Sequence, residues 1–387
     1  MRAMDRYDVI VAGIGGMGSA VVMEFAARGA KVLGLERDSI PNAHGSSHGV
    51  NRIIRLAYAE DPRYVPLLRR AFARWRELEK QAGEQLLYIT GGVDAGRQDS
   101  PHVRGALESI RQHDLPHELL SAGELHARFP GYALPDEMVG VYQPDAGFVA
   151  SERAIVAHVN QALAKGAEIH GHETVVKWTA DGDGVQVRTT RATYHAKKLV
   201  VTAGAWVGKF APQYARHFVP ERQVLIWTQP KVPAEFAVGA FPVFILDAPE
   251  GLFYGFPVFG IPGFKIGRYH HLGETVDPDD FNRDGFAPRD EELLRSGIRR
   301  YFPDADGPTL SLASCMFTNT RDEHFVIDTL PGVPQVTIVS PCSGHGYKFA
   351  SVIGEIVADL VLDGGSDFDL SMFRLSRFTG VPTPNGG

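Results

Sequence analysis

The glycines of Gly13-Ile14-Gly15-Gly16-Met17-Gly18 form a G-x-G-x-x-G motif after the apolar run Tyr7–Ala12 and before a helix predicted over Val21–Arg28. Gly13 permits a tight turn, Gly15 lets the backbone approach a pyrophosphate, and Gly18 allows the helix to pack closely on the strand. The helix N-terminus also favours phosphate charge. Glu36 ends the next predicted strand, Lys31–Leu35, where a carboxylate accepts hydrogen bonds from ribose hydroxyls. This strand, helix and strand unit predicts a dinucleotide-binding site, but it does not distinguish FAD from NAD.

Three basic residues are suited to binding an anion. Arg52 and Arg55 follow a Gly-rich turn, and Lys348 follows Gly344 and Gly346. A guanidinium binds a carboxylate in bidentate fashion and an ammonium adds a point charge, so Arg55 and Lys348 together suit an acid-bearing substrate. From the residues alone, surface cations in unrelated ion pairs are the commoner case.

Two further residues have reactive side chains. Lys265 follows a Gly-Pro-containing turn, where a lysine is usually solvated. Cys315 stands beside Met316, and a single cysteine in such a place is more often a small buried hydrophobe than a nucleophile. The residue types alone therefore do not assign either of them a role.

Several separated segments together resemble the monomeric sarcosine oxidase and N-methyltryptophan oxidase family of amine-oxidising flavoproteins. They are Gly13–Gly18, His48–Tyr58, Ala203–Trp206, Lys265–Gly267, Ala313–Met316, Asp322–Phe325 and Ser343–Phe349. The resemblance covers nearly the whole chain. The tail segments Ser366–Leu370 and Phe373–Arg377 are most similar to the N-methyltryptophan branch.

The resemblance implies an FAD cofactor, bonded through the sulfur of Cys315 to the 8α-methyl group of the flavin. It also implies that the backbone N–H groups of Ser343–Gly346 face the N1 and O2 edge of the flavin. The cofactor-binding residues that it implies are Gly13, Gly15, Gly16, Met17, Gly18, Glu36, Arg37, Ser46, His48, Arg52, Ala203, Gly204, Trp206, Cys315, Gly344, His345, Gly346 and Lys348.

The same resemblance assigns catalytic roles. Lys265 stands over the flavin, where a fixed positive charge in a water-poor site stabilises superoxide as the first electron reaches dioxygen. Arg55 and Lys348 hold the substrate carboxylate, and Arg52 lies near the flavin ring. Tyr254 and His270 line the substrate cavity, although matching His270 requires one inserted residue after Gly267.

One segment departs from the family pattern. Where the family commonly has Gly-Ser-His-His-Gly-Asp-Thr-Arg, this chain reads Gly45-Ser46-Ser47-His48-Gly49-Val50-Asn51-Arg52. Ser47, Val50 and Asn51 remove an imidazole, a carboxylate and a threonine from the region near the flavin. The resemblance therefore does not fix redox tuning or the identity of the substrate.

We expect an FAD-dependent oxidase of secondary amines that bear a carboxylate, such as sarcosine or N-methyltryptophan. The product imine hydrolyses, and dioxygen becomes hydrogen peroxide. The alternatives are an oxidase of a cyclic imino acid such as pipecolate or of a sugar-modified amine, a flavin dehydrogenase with another electron acceptor, and a flavoprotein without turnover. The glycine motif alone also allows an NAD-dependent dehydrogenase.

Hydrophobic periodicity predicts the elements that position these residues. Helices are predicted over Tyr64–Lys80, over Ser151–Ala164 and from the Ser343–Gly346 turn to about Leu362. Residues 86–150 are rich in Gly, Pro and His, and residues 219–311 have alternating, Pro-punctuated strand patterns. Strands are also predicted over Val175–Trp178, Val185–Arg188, Lys198–Thr202, Val243–Leu246, Leu252–Phe256, His324–Asp328 and Gln335–Ser340.

The predicted fold class is α/β, with a doubly wound, Rossmann-like FAD-binding domain and a substrate domain built from an antiparallel β-sheet plus helices. We assign residues 1–85, 150–216 and 312–387 to the FAD-binding domain, which is discontinuous. Residues 86–149 and 217–311 form the substrate domain. The active site is expected between the two.

Composition limits the partners and the location. The 387 residues carry a formal net charge of −7, which argues against nucleic acid. No apolar stretch near the start approaches the roughly 18 residues that span a bilayer, and no signal peptide is recognised there. Two cysteines provide no disulfide framework. We expect a cytoplasmic protein without membrane contact, and the resemblance implies a monomer that binds an amino-acid-like amine and O2.

Overall fold

The computed structural model describes residues 6–378. Its strands are β1 (Arg6–Ala12), β2 (Val32–Leu35), β3 (Asn51–Ile54), β4 (Leu87–Ile89), β5 (Gly92–Arg97), β6 (Glu118–Ser121), β7 (Met138–Gln143), β8 (Gly147–Ala150), β9 (Glu168–His170), β10 (Val175–Asp181), β11 (Gly184–Thr189), β12 (Thr193–Val201), β13 (Val219–Thr228), β14 (Val243–Ala248), β15 (Gly251–Phe256), β16 (Phe264–Arg268), β17 (Thr309–Asn319), β18 (Val326–Thr329) and β19 (Val336–Ser340).

The α-helices are α1 (Gly16–Ala27), α2 (Val65–Ala82), α3 (Pro101–His113), α4 (Ala122–Arg128), α5 (Ser151–Ala164), α6 (Val207–Phe210), α7 (Pro288–Tyr301) and α8 (Ala350–Ala358). Helix α8 is preceded by a 3-10 turn, Tyr347–Phe349, and continues into a π-helical turn, Asp359–Asp363. Among residues 6–378, no helix combines the length and the apolar character that a membrane-spanning segment requires.

The chain divides into two compact units, and each is discontinuous in sequence. The first comprises residues 6–47, 154–220 and 317–378, and the second comprises residues 48–153 and 221–316. The predicted boundaries differ from this division mainly in residues 48–85, which are predicted to belong to the FAD-binding domain. These residues group with the second unit because β3 and β4 both pair with β8, leaving α2 beside them. Residues 1–5 and 379–387 of the predicted domain lie outside the described residues.

The first unit is built on a mixed sheet with a parallel centre. Strands β12, β1, β2 and β9 are parallel neighbours, and β19 pairs in parallel with the C-terminal half of β12. The N-terminal half of β12 instead pairs with β11, in an antiparallel hairpin with β10. Helices α1 and α8 pack against each other in this unit. The parallel strands and their helices confirm the predicted α/β class.

The second unit contains a larger, mainly antiparallel sheet with the strand order β17-β13-β16-β15-β14-β5-β7-β6. The pair β14 and β5 is parallel, which is an exception to the predicted antiparallel pattern. Aromatic side chains fill the core on this sheet. The ring pairs formed among Tyr132, Phe241, Phe244, Phe264 and Phe302 have their ring centres no more than 6.1 Å apart. A three-stranded antiparallel sheet, β3-β8-β4, accompanies it.

The sequence predicted some elements well and missed others. Helix α5 has its predicted bounds, and the predicted strand Leu252–Phe256 lies within β15. Helix α7 was not predicted, because the segment 219–311 was interpreted as strands. Its buried Leu294, Ile298 and Tyr301 have helical spacing, and its first turn is acidic, so a signal was present.

Candidate functional site

The glycine motif forms the tight turn between β1 and α1 in the first unit. Gly13 has φ +96°, and a Cβ atom added there would lie 2.7 Å from the carbonyl oxygen of Thr202. The Thr202 hydroxyl donates a hydrogen bond to the carbonyl of Gly13 at 2.6 Å. A Cβ atom at Gly18 would collide with that same carbonyl, whereas one at Gly15 would meet nothing within 4 Å. The turn is thus closed at Gly13 and Gly18 and open at Gly15, as a dinucleotide cradle requires.

Glu36 lies at the end of β2 and is buried. Its Oε2 accepts a hydrogen bond from the N–H of Ile14 at 2.8 Å, and its Oε1 accepts one from the N–H of Asp38 at 3.1 Å. Burial raises the pKa of Glu36 above its usual value, against these hydrogen bonds. Each carboxylate oxygen has a second lone pair for a ribose hydroxyl.

Two other predicted cofactor residues of this unit contact each other. The guanidinium of Arg37 lies 4.8 Å from the centre of the Trp206 ring. The hydroxyl of Ser47, a residue not predicted to bind the cofactor, accepts a hydrogen bond from the N–H of Gly16 at 3.3 Å. Gly16 also lies against the ring of Tyr347, close enough that a Cβ atom would come within 2.6 Å of it.

The turn Ser343–Gly346 precedes the last helix and is tightly held. Ser343 and Gly344 both have positive φ, at 54° and 79°. The N–H of Ser343 donates to the carbonyl of Thr318 at 3.1 Å, and that of His345 donates to the carbonyl of Cys342 at 3.4 Å. These two N–H groups are therefore already engaged, contrary to the expectation that the whole turn presents its donors to a flavin.

Lys348 is buried in this unit and donates a hydrogen bond from Nζ to the carbonyl of His345 at 2.6 Å. The ring of His345 stacks on that of Phe325 at 4.9 Å, and its Nε2 lies 2.9 Å from the carbonyl of Glu323. The carbonyl that accepts from Lys348 thus belongs to a residue whose ring has two contacts of its own. Lys348 is not the solvated surface cation that its residue type alone favours.

In the second unit, the segment that departs from the family pattern forms a turn held by one carboxylate. Gly49 and Val50 have φ of 94° and 80°, and their N–H groups donate to Oε1 of Glu152 at 2.6 and 3.1 Å. Burial raises the pKa of Glu152, but hydrogen bonds from Ser151 and Val50 outweigh it and keep the pKa below its usual value. Sequence reasoning missed Glu152, whose only signal is an acidic residue in the first turn of α5.

Lys265 lies on β16 and is buried, with 2% of its surface exposed. Its Nζ donates to the carbonyl of Gly49 at 2.6 Å, to the carbonyl of Asn51 at 3.1 Å and to the Asn51 side-chain oxygen at 2.9 Å. The ring of Phe256 lies 4.2 Å from the ammonium. Burial, together with the positive charge of Arg52, lowers the pKa of Lys265 well below its usual value. Nζ of Lys265 therefore has three neutral oxygen acceptors beside an aromatic ring, and its proton is lost more easily than that of a lysine in water.

Cys315 on β17 is buried and forms no disulfide. Burial raises the pKa of its thiol, and the charges of Arg52 and Lys265 oppose that rise. Tyr254 on β15 is within electrostatic range of both Cys315 and Arg52, and burial raises the pKa of its hydroxyl well above the usual value. The structure thus brings Arg52, Tyr254, Lys265 and Cys315 together in the second unit.

His48 joins this group as a neutral imidazole. Burial lowers the pKa of His48 to about 4, and the charge of Arg52 acts in the same direction. Its Nε2 atom is buried and has no hydrogen-bond partner among the described residues. Its carbonyl accepts a hydrogen bond from Arg52 at 2.5 Å. An unpartnered buried nitrogen of this kind is suited to a bound group.

Arg55 follows β3 and is buried, with 3% of its surface exposed. Its Nη2 lies 3.2 Å from Glu60 and its Nε lies 3.4 Å from Asp94. Burial disfavours its charge, but Glu60 and Asp94 outweigh that effect and raise its pKa, so Arg55 stays protonated. Its Nη1 atom is buried and has no hydrogen-bond partner among residues 6–378. This guanidinium edge is a donor without an acceptor, which is costly unless a ligand supplies one.

His270 is placed differently from the other predicted catalytic residues. Its side chain is 43% exposed, and its Nδ1 lies 3.2 Å from both oxygens of Glu221. The neighbouring ring of Tyr269 meets that of Tyr254 edge-on at 5.2 Å. His270 therefore lies beside the group that contains Tyr254 but pairs with a carboxylate.

The predicted site residues are distributed over both units. The second unit contains His48, Arg52, Arg55, Tyr254, Lys265, His270 and Cys315, and the first contains Gly13, Gly15, Gly16, Met17, Gly18, Glu36, Arg37, Ser46, Ala203, Gly204, Trp206, Gly344, His345, Gly346 and Lys348. The pairing of Arg55 with Lys348 therefore joins residues of different units and stays a prediction.

The residues present fit an FAD. In the first unit, this rests on the open face at Gly15 and the carboxylate of Glu36. The unpartnered nitrogen of His48 is a separate observation in the second unit. A model of the family described as FAD dependent oxidoreductase matches residues 8–360.

Named proteins with similar sequences cover almost the full chain. A monomeric sarcosine oxidase from Streptomyces avermitilis is 41% identical over 97% of this chain and 99% of its own length. An N-methyl-L-tryptophan oxidase from Escherichia coli is 37% identical over 96% of this chain and 100% of its own. Among solved structures, the open form of NikD, described as an unusual amino acid oxidase essential for nikkomycin biosynthesis, has a TM-score of 0.85. It is 26% identical and covers 96% of this chain and 97% of its own.

Proposed function

Because the chain belongs to the FAD-dependent oxidoreductase family, in the group of the monomeric sarcosine and N-methyltryptophan oxidases, we propose that it oxidises secondary amines that bear a carboxylate. The products are an imine, which water hydrolyses, and hydrogen peroxide. Family membership removes the alternative of an NAD-dependent dehydrogenase. The observation that carries the substrate class is the buried, unpartnered Nη1 edge of Arg55.

The carboxylate of the substrate binds at Arg55. A guanidinium with one unused edge can donate hydrogen bonds to a carboxylate, and no buried donor is then left unsatisfied. Burial strengthens this interaction, because the local dielectric constant is low. Lys348 is the second cation of this site in our proposal, as the family resemblance implies. Both side chains are buried, which supports a role other than solvated surface charge.

FAD is held by the residues of the glycine turn, Glu36 and His48, and its flavin supplies the two-electron acceptor and the reaction with O2. We propose that Cys315 holds it covalently. Burial raises the pKa of this thiol, and the charges of Arg52 and Lys265 oppose that rise, so they reduce the cost of forming the thiolate, which is the nucleophilic form. Lys265 supplies a fixed charge for O2, and Tyr254 lines the substrate cavity.

The experiment uses the purified holoenzyme with sarcosine, N-methyl-L-tryptophan and pipecolate. Anaerobic addition of substrate is expected to bleach the flavin absorbance, and O2 is expected to restore it with release of hydrogen peroxide. No bleaching with any amine that bears a carboxylate would overturn the proposal. Bleaching that O2 does not reverse would instead identify a dehydrogenase that uses another acceptor.

The enzyme is in our proposal a cytoplasmic monomer, as expected from the sequence and from the resemblance. Size-exclusion chromatography with light scattering measures the assembly state of the full chain. Cell fractionation measures its location. A mass of twice that of the chain, or recovery outside the cytoplasm, would contradict the respective part of the proposal.

A further inference from the structure

Behind Arg55 lies a buried group that neither the glycine motif nor the family resemblance points to. Asp94 on β5 is 1% exposed. Its Oδ1 is 2.7 Å from Nε2 of His102 and 3.4 Å from Nε of Arg55, so an imidazole and a guanidinium share one carboxylate oxygen. Its Oδ2 accepts a hydrogen bond from Nε2 of Gln143 at 2.5 Å. Asp94 is therefore held from both sides.

Gln143 connects this group back to the segment that contains Arg55. Its side-chain oxygen accepts a hydrogen bond from the N–H of Ala57 at 2.8 Å. Ala57 lies two residues beyond Arg55, and the bond is buried. The orientation of Gln143, and with it that of Asp94, is thus fixed by the backbone that carries the arginine.

His102 is in the first turn of α3, and several charged or titratable groups surround it. Its backbone N–H faces Asp247 of β14 at 3.3 Å. The segment that packs on the other side of α3 is tied to it by Ser109, whose hydroxyl donates to the carbonyl of Tyr58 at 2.6 Å. The elements that pack against α3 carry Asp94 and Arg97 of β5, Arg63 and Tyr64 of the turn Pro62–Tyr64, and Tyr142 of β7. Asp247 of β14 faces the first turn of α3, and Arg55, with its partner Glu60, lies next to Asp94.

The shared oxygen couples the charge of His102 to that of Arg55. An anion bound at the unused edge of Arg55 adds negative charge close to Asp94, and protonation of His102 compensates for it. Histidine is the side chain whose charge normally changes between about pH 5 and 8. Linkage is reciprocal. If the proton binds more tightly when the anion is bound, the anion also binds more tightly when the proton is bound.

We propose that His102 and Asp94 are proton-linked positioning residues of the carboxylate site: a carboxylate that binds at Arg55 is accompanied by uptake of a proton from solvent at this pair. The inference rests on the proposed function, because it requires a carboxylate at Arg55. Affinity for the carboxylate then weakens as the pH rises, by up to about tenfold per pH unit for one proton taken up. Neither residue touches the substrate.

The test uses the holoenzyme and butanoate, in which a methylene replaces the amine nitrogen of sarcosine. Butanoate cannot be oxidised as an amine and has no amine to titrate, so the protonation of the protein is measured alone. Its dissociation constant is measured from the flavin absorbance between about pH 6 and 9, around the range in which histidine titrates. Calorimetry in two buffers of different ionisation enthalpy counts the protons taken up.

Two substitutions separate the linkage from a merely structural role, because they act in opposite directions. In His102→Gln a neutral amide replaces the imidazole, so proton uptake is lost. At every pH, the affinity of this variant is then close to the low affinity that the wild type has at high pH. In Asp94→Asn the negative charge that His102 compensates for is gone, so proton uptake is lost. At every pH, the affinity of this variant is then close to the high affinity that the wild type has at low pH. Loss of packing would weaken binding in both variants.

His113 provides the matched control. It lies on the same helix, and its Nε2 is 2.8 Å from the carbonyl of Pro62. The His113→Gln variant is expected to keep the wild-type proton uptake and pH dependence. Circular dichroism of each variant verifies that the chain folds, and if Asp94→Asn does not fold, His102→Gln still decides the question.

The outcomes separate the inference from the proposed function. Binding that Arg55→Ala abolishes, but whose dissociation constant in the wild type does not change with pH, overturns the inference alone. Proton uptake that persists in His102→Gln does the same. If butanoate binds equally well to the wild type and to Arg55→Ala, or binds to neither, the carboxylate site is wrong and the inference falls with it.

Discussion

The ammonium group of Lys265 lies 2.9 Å from the side-chain oxygen of Asn51. The carbonyls of Gly49 and Asn51 accept from the same ammonium, so all three acceptors are neutral oxygens. Neutral dipoles compensate only in part for the burial of a charge. This explains why burial lowers the pKa of Lys265 even though three oxygens accept hydrogen bonds from its Nζ.

Lys265→Met is expected to slow reoxidation of the reduced enzyme by O2 by roughly 10²- to 10³-fold, the usual effect of removing one preorganised electrostatic group. Anaerobic reduction by substrate should change little. Stopped-flow absorbance measures the two half-reactions separately. Lys231→Met, at an exposed lysine of the same unit, is the control. A wild-type rate of reoxidation in Lys265→Met would remove the role assigned to this lysine.

The reoxidation rate is expected to fall as the pH rises. Burial and the charge of Arg52 lower the pKa of Lys265, so the ammonium loses its proton at a lower pH than a lysine in water does. Asn51→Leu removes one acceptor of the ammonium and should move the midpoint of the profile to lower pH. Asn51→Asp adds a negative charge and should move it to higher pH. The measurement is the second-order rate constant for O2 at each pH, and shifts in the same direction would contradict this interpretation.

The glycine turn and the bounds of α5 were predictable because their signals are local. A collision at Gly18 or a positive φ at Gly13 follows from the few residues around it. The carboxylates that hold the site were not predictable in this way. Glu152 binds the turn at Gly49, more than a hundred positions away in the sequence, and no periodicity in the chain points to such a contact.

The neighbourhood of Arg55 shows the same limit. The sequence places Arg55 near Arg52, but it does not reveal that Asp94 and Glu60 flank its guanidinium. The grouping of residues 48–85 with the second unit also depends on pairing between β3 and β8, which are separated by about a hundred residues. Helix α3 was not predicted either, although Val103, Ala106 and Ile110 have helical spacing, because residues 86–150 are rich in Gly and Pro, which are typical of loops.

Asp290→Asn is expected to destabilise the chain by about 3–5 kcal/mol at neutral pH, since it removes the buried carboxylate that pairs with Arg222. Asp290 accepts hydrogen bonds from Arg222 at 2.7 and 2.9 Å and from His271 at 2.8 Å. Burial raises the pKa of Asp290, but these bonds outweigh it and hold the pKa well below the usual range.

Because the folded chain lowers this pKa, the stabilisation is present above the unfolded value of about 3.9 and is lost as the pH falls towards the folded value. The difference in the free energy of unfolding between wild type and Asp290→Asn should therefore shrink in acid. Urea denaturation at several pH values measures it. Asp280→Asn, at an exposed position, is the control. A pH-independent difference would contradict the assignment.

Substitution of Arg55 or Lys348 by alanine is expected to raise KM for the amine steeply, by roughly tenfold or more, because each loses a charged hydrogen bond to the carboxylate. Arg55→Lys should recover less than the loss, since an ammonium cannot reproduce the bidentate geometry. Steady-state kinetics with sarcosine or N-methyl-L-tryptophan provide the measurement. Arg63→Ala, at an exposed arginine of the second unit, serves as the control. Unaltered kinetics in both alanine variants would remove the carboxylate site.

The covalent bond proposed for Cys315 leads to two predictions that can be tested without measuring catalytic activity. In acid-precipitated wild type, the flavin colour stays in the pellet, whereas in Cys315→Ala it passes to the supernatant. Cys342→Ala, which removes the other cysteine of the chain, should behave as wild type. Colour in the supernatant of the wild type would remove the bond while leaving an FAD oxidase intact.

The rate of attachment tests the electrostatics of the same thiol. Since burial raises the pKa of Cys315, the thiolate fraction and hence the rate at which added FAD becomes covalent in apoprotein should increase with pH. Lys265 opposes that rise in pKa, so Lys265→Met should shift the rate profile to higher pH. An unshifted profile would show that the ammonium does not act on the thiol, whatever its part in the reaction with O2.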